Sequence, residues 1–177
     1  MNTEKIKNRT QGFTLLELLV VVLIIGILAA IALPQYKFIV TKSKYNTVKE
    51  MTRSIADSVE RYYLETGNKP KNLEVLDIDI YGSYNSTKKQ KSLPNGEICG
   101  FNNSNSSQQE LMCYTKAFGK SMAYIIEINF NKSPRRSFCY AFTTNTTDIV
   151  NKVCQKDTGK KKPYYGTPCS GYCPYKY

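Results

Sequence analysis

The sequence predicts an α+β fold: a long N-terminal helix with a transmembrane half and an amphipathic half, packed on a small antiparallel sheet, with a disulfide-rich C-terminal region. Three observations carry this reading. Residues 13–33 are almost wholly apolar, and from Leu15 to Leu33 the one charged group is Glu17. Val48, Met51, Ile55, Val59 and Tyr62 recur at spacings of three and four, the stripe of a helix that buries one face. Met122, Tyr124, Ile126, Ile128 and Phe130 alternate, as in a strand with one face in a core.

Residues 1–12 are short, polar and basic, with Lys5, Lys7 and Arg9. As a helix, residues 13–33 extend about 30 Å, enough for a hydrocarbon core. The basic flank belongs on the cytoplasmic side, so the C-terminal part crosses. Gly26 weakens the helix by about 1 kcal/mol relative to Ala. Pro34 removes the hydrogen bond to the Ala30 carbonyl, so a bend is expected near it. The helix resumes to about Thr66, with Asp57, Arg61 and Glu65 at i, i+4 spacing on a wet face and Gly67 as the stop. The expected organisation is therefore a leader at 1–12, an apolar helix at 13–33, an amphipathic half at 34–66 and a globular head at 67–177.

Residues 68–109 hold few periodic elements. Val75, Leu76, Ile78 and Ile80 suggest a short packed segment, and 102–109 reads as a low-complexity loop. Strands are expected at 111–118, 121–130 and 137–143, with a turn at Asn131-Lys132-Ser133-Pro134. Residues 145–154 read as a short capped helical turn. The tail from Thr158 is rich in Lys, Pro, Gly, Tyr and Cys, cannot build a core of its own and calls for cross-linking.

Six cysteines, Cys99, Cys113, Cys139, Cys154, Cys169 and Cys173, all fall in the C-terminal half. There is no His, which excludes a mixed Cys/His zinc site; a site of four cysteines stays open, but paired C-x2-C knuckles are missing, so no metal site is expected. An even count in a small polar domain reads as disulfides and an oxidising compartment, which agrees with the orientation given by the basic flank. Six cysteines allow fifteen connectivities, and spacing does not choose among them. The net charge is +11, a balance that suits nucleic acid, anionic lipid or acidic polymers and equally a solvated surface. No phosphate-cradling loop and no G-x-S-x-G occur, so no catalytic residue is assigned, no cofactor is expected and an enzyme is disfavoured.

An ordinary secretory signal fits part of the N-terminus, with Ala30-Ile31-Ala32 as its cleavage site. The apolar run is long for that, and Glu17 sits inside it. An ionisable residue at mid-bilayer costs roughly 2.5–3.5 kcal/mol and is a functional hypothesis by default. Gly12-Phe13-Thr14-Leu15-Leu16-Glu17 followed by Leu18-Leu19-Val20-Val21-Val22 resembles the processing motif of type IV prepilins and type II secretion pseudopilins. That resemblance implies cleavage between Gly12 and Phe13 by a prepilin peptidase and N-methylation of Phe13. It implies a single-pass anchor in the bacterial inner membrane, then incorporation by pilus assembly machinery into an extracellular or periplasmic filament, a homopolymer or a mixed one. It also implies that Glu17 pairs with the amino terminus of a neighbouring subunit. Gly26 and Pro34 together are expected to allow local melting between them in the filament, which would make the fibre extensible. The expected disulfides are Cys99 with Cys113, Cys139 with Cys154, and Cys169 with Cys173, the middle pair enclosing a loop like the C-terminal loop of many pilins.

The leading function is thus a structural filament subunit. A secretion pseudopilin is the weaker reading within that class, because no acidic cluster is present to supply calcium ligands. A nucleic-acid receptor, such as a minor pilin for DNA uptake, is the second class. Its candidate contacts are Lys88, Lys89 and Lys91, then Arg135 and Arg136, then Lys160, Lys161 and Lys162, with fourteen tyrosines as stacking surfaces. This reading gains weight only where the clusters converge on one face.

Overall fold

The computed structural model describes residues 12–104, 108–130, 134–166 and 169–177. The leader up to Gln11, part of the expected loop at 102–109 and the turn residues Asn131-Lys132-Ser133 lie outside the described residues. The chain divides into two compact units, Met1–Tyr36 and Lys37–Tyr177.

Helix α1, Leu15–Thr66, starts in the first unit and is assigned without interruption through Gly26 and Pro34. The large apolar side chains from Leu15 to Leu33 are exposed. Among the described residues this is the helix long and apolar enough to cross a membrane.

In the second unit α1 buries the stripe read from the sequence. Val48, Ile55 and Val59 are fully buried, Met51 packs against the core and Tyr62 is half-buried. Each buried aliphatic side chain contributes about 1.5–3 kcal/mol. Thr41, Thr52 and Ser58 are buried on the same face: Thr41 and Thr52 return their hydroxyls to the carbonyls of Lys37 and Val48 at 2.7 and 2.6 Å, and Ser58 donates to Asp77. The helix stops at Thr66 because Gly67 takes a left-handed φ of 67°, its N–H closing on the Tyr63 carbonyl at 2.9 Å.

The sheet has seven strands, each antiparallel to its neighbours and ordered as in the sequence: β1 Ser83–Asn85, β2 Gln90–Ser92, β3 Ile98–Ser104, β4 Gln108–Ala117, β5 Lys120–Asn129, β6 Arg136–Ala141 and β7 Cys173–Lys176. Helix α2, Ile149–Thr158, lies between β6 and β7 in sequence and ends on Gly159 with φ 71°. The strands expected at 111–118, 121–130 and 137–143 are present as β4, β5 and β6, which end at Ala117, Asn129 and Ala141. The helical turn expected at 145–154 is a helix that begins later, at Ile149, and runs on to Thr158. The region 68–109, read as nearly aperiodic, holds three strands. It also carries a 3-10 turn, Leu73–Val75, which buries Leu73 and is capped by the Asn72 side chain accepting from the Glu74 N–H.

One face of the sheet meets the helices. Leu111 and Cys113 of β4, with Met122, Tyr124, Ile126 and Ile128 of β5, join Val48, Ile55, Val59, Val150 and Val153 in one core. The other face is also covered at its centre. Ala123, Ile125 and Phe138 form a second buried cluster beside Tyr114 and Tyr140. The tail reaches it: Tyr164 meets Phe138 edge-on at 5.8 Å and Tyr172 stacks on Tyr140 at 5.1 Å. The tail is cross-linked, as expected, and it also contributes a strand and a ring cover.

Three disulfides join Cys99 to Cys113, Cys139 to Cys154 and Cys169 to Cys173. The first links residues directly opposite in the β3–β4 ladder, the second pins α2 to β6, and the third closes the turn into β7.

Candidate functional site

Gly12, Phe13 and Thr14 precede the helix without regular structure, and Phe13 is 73 % exposed. A Cβ at Gly12 would meet no atom within 4 Å. The Gly12–Phe13 peptide bond therefore lies in open, non-helical backbone, the form a peptidase takes into its cleft.

Glu17 closes a reciprocal cap at the helix start. The Thr14 N–H and hydroxyl donate to Glu17 Oε2 at 2.9 and 2.7 Å, and the Glu17 N–H donates to Thr14 Oγ1 at 3.2 Å. This is a capping box, T-x-x-E, with Thr14 as the cap and Glu17 at the third helical position. The carboxylate also stands at the positive end of the helix dipole. The spacing was present in the sequence and would have announced the box. Gly26 has open space where a side chain would stand, and Pro34 sits inside the assigned helix.

The basic candidates separate into two kinds. Lys88 and Lys89 form the exposed turn between β1 and β2, where the Lys88 N–H donates to Asn85 Oδ1 at 3.0 Å. Lys160, Lys161 and Lys162 are exposed in the tail after α2. The others are engaged by acids. Lys91 pairs with Glu74 at 2.9 Å and Arg136 with Glu127 at 2.7 Å. Arg135 binds Asp57 at 2.7 Å and also Glu60, both on α1, and these carboxylates hold its guanidinium above its ordinary pKa.

The exposed clusters do not converge. Lys88 and Lys89 belong to the β1 edge, and Lys160–Lys162 lead to the β7 edge. Six interstrand spacings separate these edges, roughly 29 Å.

Two arrangements gave no sequence signal. Tyr177 donates to Asp157, its hydroxyl lies 2.7 Å from that of Tyr45, and Lys49 reaches the same Asp157 oxygen at 2.7 Å while standing 4.5 Å from the Tyr177 ring. Burial pushes both phenols well above their ordinary pKa. The second is Arg61, whose Nε and Nη2 reach the two oxygens of Asp77 at 2.6 and 2.9 Å. With the Ser58 hydroxyl on the same carboxylate, Asp77 is held down to about 2.

The family described as "Prokaryotic N-terminal methylation motif" matches residues 7–33. Among curated proteins, "Type IV major pilin protein PilE1" of Neisseria gonorrhoeae is 32% identical over 106 residues, 57% of this chain and 57% of that protein. "Type IV major fimbrial protein FimA" of Dichelobacter nodosus is 44% identical over 59 residues, 33% of this chain and 38% of that protein. "Fimbrial protein EcpC" of Eikenella corrodens is 42% identical over 62 residues, 35% of this chain and 40% of that protein. The chain thus spans little more than half the length of the first of these and about two fifths of the others. No solved structure matches it.

Proposed function

We propose that this chain, which belongs to the type IV pilin family, is a structural subunit of a type IV pilus-like filament, anchored in the membrane before assembly and trimmed by a prepilin peptidase. The observation that carries the reading is the run Gly12-Phe13-Thr14-Leu15-Leu16-Glu17 at the head of an apolar helix. Cleavage between Gly12 and Phe13 removes the basic leader and leaves an apolar anchor whose new amino terminus, once N-methylated, lies next to Thr14. The anchor crosses the bacterial inner membrane once, with Lys5, Lys7 and Arg9 on the cytoplasmic side, and the head reaches the oxidising side with its three disulfides.

The capping box gives Glu17 a part at each stage. Both of its members, Thr14 and Glu17, lie in the trimmed chain, so processing leaves the box intact. Oε2 is held by Thr14. Oε1 is then the oxygen that accepts the Phe13 amine of a neighbouring subunit. In an apolar filament core that pair sets the axial register, because removing one partner strands a charge at about 3–5 kcal/mol. The partners implied are other copies of the chain or related pilins, the peptidase and the membrane assembly machinery. The role is structural, with the chemistry carried out on the chain by others. The wide separation of the exposed lysine clusters weighs against the DNA-receptor reading.

Mass spectrometry of the N-terminus of the membrane or filament fraction tests this. An N-methylated Phe13 start is the expected result. A Leu33 start, cut after Ala30-Ile31-Ala32, would make the protein an ordinary secreted one and end the filament reading.

A further inference from the structure

A concave site on the head has lysine amines at its rim and an unmet acceptor at its floor. It lies between the segment that leaves α1 and the β1–β2 hairpin, encloses about 890 Å³ and is lined by Lys71, Lys88, Lys89, Tyr84 and Gln109 among others. That volume is in the range of ligand pockets. Among the described residues no Asp or Glu lines it and no carboxylate pairs with Lys71, Lys88 or Lys89. Lys91, two residues on from Lys89 in β2, does have such a partner in Glu74, so the bare amines are a property of the groove rather than of this part of the surface.

The hairpin is held tightly enough to present them. Lys89 takes a left-handed φ of 52°, and Gly100 on β3 lets the Lys89–Gln90 backbone press in. A Cβ at Gly100 would stand 2.8 Å from the Lys89 carbonyl oxygen.

At the floor, Gln109 is 3 % exposed. Its Nε2 donates to the Pro70 carbonyl at 2.9 Å, which fixes the amide's orientation. Its Oε1 is buried and accepts no hydrogen bond among the described residues. A buried acceptor without a donor costs about 1–3 kcal/mol, so this atom marks a place where a donor is wanted.

We propose that this groove binds an acidic oligosaccharide. Three features select that chemistry. Lysine amines act as point charges and suit carboxylate or sulfate groups spread along a chain, whereas the groove has no arginine fork for bidentate phosphate. The unmet Gln109 acceptor takes a hydrogen bond from a hydroxyl, which a sugar supplies and an ionised phosphodiester does not. Tyr84, half-buried in the wall, offers one ring for the apolar face of a sugar. A single-stranded nucleic acid would ask for successive exposed rings, and the second ring here, Phe101, is 7 % exposed. The proposal does not depend on the filament reading.

The test uses the full chain in detergent and fluorescent hexasaccharides, one carrying a carboxylate on every second sugar, one sulfated and one neutral, with a thymidine oligonucleotide of similar charge. The variant Lys71→Gln/Lys88→Gln/Lys89→Gln is compared with Lys160→Gln/Lys161→Gln/Lys162→Gln, which loses the same charge elsewhere. The expected result is binding of at least one acidic sugar, weakened roughly tenfold or more by the groove variant and less than about twofold by the tail variant. The neutral sugar stays unbound, and the oligonucleotide responds to the two variants alike. Equal loss of sugar binding in both variants would reduce the effect to bulk charge and overturn the proposal. So would absence of binding to either acidic sugar. Oligonucleotide binding that depends on the groove and exceeds that of the sugars would assign the site to nucleic acid instead.

Discussion

Removing the Cys139–Cys154 bridge tests what holds α2 on the sheet. The two residues are fully buried and separated by 15 positions, one on β6 and one inside α2. Closing a loop of that length stabilises the fold by about 3 kcal/mol in the chain-entropy treatment. The Cys169–Cys173 loop, with a separation of 4, contributes about 2 kcal/mol by the same relation. For a head of this size, 3 kcal/mol corresponds to roughly 10 °C in Tm. The double substitution Cys139→Ala/Cys154→Ala should therefore lower the thermal midpoint of the head by about 10 °C, and Cys169→Ala/Cys173→Ala should lower it by less. Exposure gives a second, kinetic expectation. Cys169 retains 9 % exposure while the four cysteines of the other two bridges have none. Under a graded reductant with alkylation and peptide mapping, Cys169 and Cys173 should label first in folded protein. Cys99 and Cys113 should resist until the β3–β4 ladder opens. Labelling of Cys139 or Cys99 ahead of Cys169, or a larger Tm loss from the short loop than from the long one, would refute the reasoning.

Three further outcomes follow from particular contacts. Asp77 is held down to about 2 by Arg61 and Ser58, below its usual value near 4, so its contribution is present above about pH 4 and lost as pH falls toward 2. Hydrogen exchange over residues 68–80 should quicken in that window, and Asp77→Asn should abolish the pH dependence while loosening the segment at neutral pH. Tyr177→Phe removes the hydroxyl shared with Tyr45 and Asp157 and should cost about 1–3 kcal/mol by denaturant melting, whereas Tyr165→Phe, at a ring 73 % exposed, should cost nothing measurable. Gly100→Ala places a Cβ 2.5 Å from Gln90 Cγ and 2.8 Å from the Lys89 carbonyl oxygen, so β1 and β2 should lose amide protection while β4 to β6 keep theirs, at a cost of about 1–3 kcal/mol.

The parts of the fold that the sequence disclosed are those in which one physical pattern dominates. The apolar run, the helix stripe and the strand at Met122–Phe130 each bury a continuous face, and burial writes its period into the residues. The strands β1 and β2 have three residues each and half-buried or exposed side chains, so no period is long enough to register. Strand β3 is interrupted in its pattern by Gly100, which is there for close approach rather than burial. Strand β7 contains Pro174, which argues against a strand in the middle of a sheet but is permitted at an edge, where β7 lies. The cover of the outer face by Tyr164 and Tyr172 depends on the tail's return to β6, a long-range event with no local signature.

Charge was the least legible property, and the reason is pairing. A cluster of lysines or arginines in a sequence records one sign only, whereas its availability depends on acids brought near by the fold. Arg135 and Arg136 look like Lys88 and Lys89 on paper. The first pair reaches Asp57, Glu60 and Glu127, more than one element away in the case of the helix acids, and ties the β5–β6 connection to α1. Asp77, Glu74, Asp148 and Asp157 serve the same purpose for Arg61, Lys91, Lys120 and Lys49. The head thus uses much of its acid as internal ties, and its excess positive charge is left on side chains such as Lys71, Lys88 and Lys89, which no such tie reaches among the described residues. Where that excess borders a cavity with an unmet acceptor, charge becomes a property of a site; where it lines the tail alone, it is a solvated surface.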